Sequence, residues 1–101
     1  MTEKEMQEDI MKNLYYAQQR VKQVNDGTRI VEDSLGFIVI SLIEAQTVIN
    51  NARALYSGSF YAKLYEDIHV ILENIISNVR HLEIVDTQIQ KCVDKLDIKM
   101  A

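Results

Sequence analysis

The sequence has no proline and no tryptophan, one cysteine, two histidines and three glycines among 101 residues. Without proline, nothing is built in to interrupt a helix. A lone Cys92 excludes an internal disulfide and cannot by itself form a thiolate zinc site. His69 and His81 lie more than three helical turns apart, too far to share a metal on one helix. Gly27, Gly36 and Gly58 are too scattered to cradle a phosphate. Ser34, Ser41 and Ser57 have no base and orienting acid at a recognisable spacing, so catalysis by this chain is not expected. Runs of lysine or arginine are also missing and the formal net charge is -4, which argues against nucleic acid as a partner.

Long apolar runs are lacking too. The most apolar stretch, LGFIVISLI (Leu35 to Ile43), is short of a bilayer span and is fenced by Glu32, Asp33 and Glu44. The first residues, MTEKEMQEDI, are polar where a leader needs an apolar core. These features predict a single soluble cytoplasmic domain, exported, if at all, without a cleavable leader.

What the chain does have is apolar periodicity. In steps of four and three the sequence reads Ile10, Leu14, Ala17, Val21, Val24, Thr28, Val31, Leu35, Ile38, Leu42, Ala45, Ile49, Ala52, Tyr56. Only Thr28 is polar, and the spacing is that of a long helix lying against another. Asn-Asp-Gly at 25–27 has turn chemistry, yet the stripe crosses it in phase. The phase predicts one helix over about 4–56, weakened at 25–27; a separate N-terminal helix is the alternative. After a tight link at 57–58, a second stripe reads Tyr61, Leu64, Ile68, Ile71, Ile75, Asn78, Leu82, Val85, Ile89, Cys92, Leu96. It predicts a helix over about 59–97, capped by Ser57 or Ser59.

The fold expected is therefore all-α: an antiparallel two-helix hairpin with a long first helix whose N-terminal part overhangs. Both stripes are too broad for one seam, because Phe37, Val39, Ile40 and Ile43 widen the first and Leu72, Ile76, Val79 and Val93 the second. Leaving such a band wet is costly at roughly 25 cal/mol per Å² of apolar surface. Pairing of two hairpins into a four-helix bundle is the natural remedy. Leu35, Phe37, Ile38, Ile40, Leu42, Ile43, Ile68, Ile71, Ile75 and Leu82 are the residues expected at that interface.

Two patterns invite chemistry. Glu66-x-x-His69 has the spacing that di-iron bundles use, but the pair sits beside the apolar stripe rather than on it, and no metal or cofactor is expected. Aromatics gather at Tyr15 and Tyr16 and again at Tyr56, Phe60, Tyr61 and Tyr65, where they suit either a plug at the bundle end or a protein interface.

Helix, Tyr56-Ser57-Gly58, helix, in about a hundred proline-free, mildly acidic residues, resembles the W-x-G (Esx-like) superfamily of helical hairpins of type VII secretion. Tyrosine stands here for the family's tryptophan. Phe60, Lys63 and Leu64 fall where the Gram-positive branch carries an aromatic or apolar residue, a lysine and an apolar residue. The resemblance implies a homodimer or heterodimer, and most closely the small partners of LXG toxins, which bundle with the toxin's helical domain. It also implies a C-terminal export signal, whose nearest match is Val93-x-x-x-Asp97 with valine at the aromatic position.

The function expected is that of a non-enzymatic adaptor or targeting partner of a type VII toxin, or of a secreted Esx-like protein, without membrane insertion. The turn Tyr56, Gly58, Phe60 and the end Val93, Asp97 would carry it. A second reading is a cytoplasmic immunity or regulatory bundle that binds a protein target. A chain split into three helices at Asn25–Gly27 favours the second reading, because a three-helix fold can close its own core.

Overall fold

The N-terminus starts a helix by local chemistry. The Thr2 hydroxyl accepts from the Glu5 amide at 3.1 Å, and the Glu5 carboxylate accepts from the Thr2 amide at 2.9 Å. This reciprocal box satisfies two free donors of the first turn. The same bonds hold the Glu5 carboxyl below its ordinary range. Helix α1 then runs Glu3–Asn25.

In a computed structural model, which describes residues 1–77 and 82–101, the chain forms four helices. They are α1, α2 (Val31–Leu55), α3 (Phe60–Ser77) and α4 (Leu82–Met100). Helix α1 packs on α2 and α4, and α3 packs on the same two neighbours, so the helices form a ring around one core. Side-chain bonds fix the register. Gln18 of α1 donates to Asp86 and Gln90 of α4, Gln46 of α2 to the Tyr65 carbonyl of α3, and Asn74 of α3 to Gln88 of α4. Neighbours in the ring are antiparallel. The long axis is 40 Å, close to the roughly 37 Å length of a 25-residue helix.

The all-α class holds, but the two-helix hairpin does not. At Asn25–Gly27 local chemistry overrides the apolar phase: Gly27 takes φ +83°, and the Asp26 carboxylate accepts from the Thr28 amide at 2.8 Å. The Thr28 side chain, together with this amide, keeps the Asp26 carboxyl low. The long helix over about 4–56 is thus two helices folded back on each other, and the N-terminal part does not overhang. Ile10, Leu14, Ala17 and Val21 are fully buried in the shared core. The second stripe is divided as well, since α3 and α4 run antiparallel. Asn78, Val79 and His81 lie outside the described residues.

Helix α2 differs from the other three. It is long and apolar enough to cross a membrane by length and composition, yet only 33% of its most apolar window is buried in the bundle. Ile38, Leu42, Ala45 and Ile49 face the core, with Ser34, Ser41 and Gln46 buried on its flanks. Much of its remaining apolar surface faces outward.

Candidate protein-binding surface

Two outward-facing patches meet where α1 lies against α2. On α2, Phe37, Ile40 and Ile43 follow one another at three-residue steps and are 41%, 58% and 47% exposed. On α1, Tyr15 and Tyr16 are each half exposed. The Tyr16 and Phe37 rings join the patches, with centroids 6.5 Å apart and planes at 60°. Arg20, one turn after Tyr16, places its guanidinium carbon 4.3 Å from the Phe37 centroid. This cation over a ring holds Phe37 against α1 and keeps its outer edge available. Toward α4 the surface continues as a shallow apolar groove of about 390 Å³, lined by Met11, Tyr15, Tyr16 and Met100, with Glu8 and Lys12 at its rim.

Tyrosine, phenylalanine, arginine and methionine are the residues that binding surfaces favour, because each covers much area for little rotamer entropy. A folded chain also has no internal need for three exposed apolar side chains in succession on one helix.

The expected interface residues separate into two groups. Ile38, Leu42, Ile68, Ile71, Ile75 and Leu82 are buried in the chain's own core. Phe37, Ile40 and Ile43 are exposed, and Leu35 is half-buried at the edge of the core.

At the other end of α2, the turn residues form a plug. Tyr56 is extended, Gly58 has φ +105°, and Phe60 opens α3. The Tyr61 ring lies 6.4 Å from Tyr56 and 5.1 Å, edge-on, from Phe60. The Lys99 ammonium of α4 lies 5.6 Å from the Phe60 centroid. The Tyr61 hydroxyl donates to Glu3 and accepts from Gln7, so α1 is tied in as well. All four helices meet here.

The remaining candidates are placed as follows. Val93 is buried and Asp97 exposed on α4, so the folded chain presents only the acid of that pair. His69 meets Glu73 at 2.9 Å on the surface of α3, and Glu66 is exposed one turn before it. Cys92 is buried beside a cavity of about 200 Å³ that Asp67 and Lys95 also line. Burial pushes its thiol up to about 12, so it holds no reactive thiolate at neutral pH.

Sequence reasoning missed the Tyr16–Phe37–Arg20 arrangement. Tyr16 and Arg20 stand four apart and therefore on one face of α1, but only the division at residues 26–30 brings that face to Phe37. No family model matches the chain, and neither curated proteins nor solved structures yielded a match.

Proposed function

We propose that this chain is a non-enzymatic helical binding module that engages a protein partner through the outer face of α2 and the adjoining aromatics of α1. The observation that carries this reading is the exposed run Phe37, Ile40, Ile43 on a bundle whose core is already closed by its own four helices. A core complete within one chain supports an immunity or regulatory bundle acting on a protein target. The net charge of -4, spread over the helix surfaces, supports work in an aqueous compartment.

The test is mass by light scattering of the purified chain, alone and coexpressed with the products of neighbouring genes. A stoichiometric complex that Ile40→Glu abolishes, with the variant's melting unchanged, supports the reading. A complex indifferent to Ile40→Glu and Phe37→Ser would place binding elsewhere and sink it.

One observation favours a second reading, a small partner of a type VII secretion toxin. Tyr56-Ser57-Gly58 joins the antiparallel pair α2 and α3, as the turn does in the family that the chain resembles. A partner role of this kind would use the same exposed face of α2. Export would then depend on Asp97, and removal of the last turn of α4 would lower secretion of the toxin without unfolding the bundle.

A further inference from the structure

The borders of the exposed α2 run differ in charge from one side to the other. On the α1 side, the cations are already engaged: Lys12 lies 3.4 Å from Asp9, and Arg20 covers Phe37. On the α3 side, the bond from Gln46 to the Tyr65 carbonyl fixes an antiparallel register. That register sets Ile43 alongside the α3 face that carries Glu66, His69 and Glu73, all exposed, with Glu73 2.9 Å from His69 and Glu66 one turn before that pair. Glu66 and Glu73 are seven residues apart, two turns on one face. Helix α2 adds Glu32 and Asp33, exposed, near its start; its Glu44 lies on the α1 side with Lys12 and Tyr16, and Arg53 stands 5.8 Å over the Tyr65 ring at the far end of the α2–α3 border.

From this we infer that the outer surface where α2 adjoins α3 receives one amphipathic helix of the partner, with an apolar stripe seated on Ile40 and Ile43 and lysine or arginine two turns apart facing Glu66 and Glu73. The inference rests on the binding reading above and names the partner's chemistry. An apolar stripe flanked by cations matches both the apolar run and its acidic border, and rim charges of this kind select partners and speed their encounter. A second copy of this chain fits less well. Antiparallel two-fold pairing of α2 on α2 would bring the α3 edges of the two copies, each with Glu66 and Glu73 exposed, alongside one another, like charge on like. The same acidic border opposes docking on an anionic lipid surface.

Because the chain has no tryptophan, a probe peptide with a single tryptophan reports its own burial. Two designed amphipathic helical peptides share one apolar face with a central tryptophan; one has lysine flanks and the other glutamate flanks. Titration with the full chain should blue-shift the lysine peptide, with the glutamate peptide binding about tenfold or more weakly at low salt, a gap that narrows as salt rises. The double substitution Glu66→Lys, Glu73→Lys should reverse the preference, and Ile40→Glu should remove binding of both peptides. Equal binding of the two peptides that still depends on Ile40 would overturn the charge inference and leave the surface reading standing. No Ile40-dependent binding by either peptide would overturn both. Self-association of the chain that Ile40→Glu disrupts would assign this surface to a second copy instead.

Discussion

The Tyr61 hydroxyl lies 2.6 Å from the Glu3 carboxylate and donates to it, 58 residues away in the chain. The same oxygen accepts from the Gln7 amide at 3.0 Å. Gln7 is buried, so its amide has little water to fall back on. Tyr61→Phe keeps the ring packing and removes only this junction, leaving a buried donor unsatisfied. The loss should be about 1–3 kcal/mol. For a chain of this size each kcal/mol moves the melting midpoint by roughly 4–8 °C. Glu3→Gln, which keeps an acceptor, should cost less; calorimetry on the two variants checks the order.

Alkaline pH should weaken the bundle through two buried groups. Burial raises the Cys92 thiol from its ordinary 9.0 to about 12, and burial with the Glu3 bond raises the Tyr61 phenol from 10.0 to about 12. Both are neutral folded and unfolded below pH 9, so their contribution is full there. Above it the unfolded thiol ionises first and the folded one does not. Stability should then fall with pH, by about 1.4 kcal/mol per pH unit for each group engaged, until the folded group also ionises near 12. Cys92→Val should therefore flatten the stability curve between pH 9 and 10 and leave the fall above 10. Urea titrations across that range decide it; an unchanged slope between 9 and 10 would remove Cys92 from the account.

The apolar periodicity picked out the core well, because Ile10, Leu14, Ala17, Val21, Ile38, Leu42 and Ile49 are all fully buried. It could not show how those residues are connected. A stripe in phase across residues 25–28 reads the same for one straight helix and for two helices folded onto a shared core. Thr28, the one polar member, marked the difference: it is exposed in the turn, with its amide on the Asp26 carboxylate. The binding surface was half legible. Phe37, Ile40 and Ile43 were visible as surplus apolar residues, but their junction with Tyr16 and Arg20 depends on a long-range packing that local spacing does not encode.

Ile40 and Leu42 stand two residues apart and should respond oppositely to substitution. Leu42 is 0% exposed and Ile40 is 58% exposed. Leu42→Ala opens a cavity in the shared core and should cost about 2–5 kcal/mol. Ile40→Glu adds a charge on the solvent face and should stay within about 0.5 kcal/mol of the parent. Denaturant melts of the two variants test whether α2 has this orientation. A large loss for Ile40→Glu in the isolated chain would mean that its side chain is already covered.

The glycines of α2 and of the turn after it make a matched pair. Gly36 lies in the helix interior, and a Cβ added there meets nothing within 4 Å. Gly36→Ala should stabilise the isolated chain by about 0.5–1 kcal/mol, since alanine restricts the unfolded chain and favours the helix. Gly58 also has open space, but its φ of +105° is one that side-chain-bearing residues rarely adopt. Gly58→Ala should therefore destabilise the chain, by roughly 1 kcal/mol or more, through backbone strain rather than collision. Gly36 has a further use as a reporter, because it lies on the outer face one turn before Ile40. A helix seated closely on that face would meet the added methyl group, so Gly36→Ala should raise the melting midpoint while weakening capture of the lysine-flanked peptide. Stabilisation with unchanged capture would place the docked helix farther along α2, toward Ile43 and Thr47.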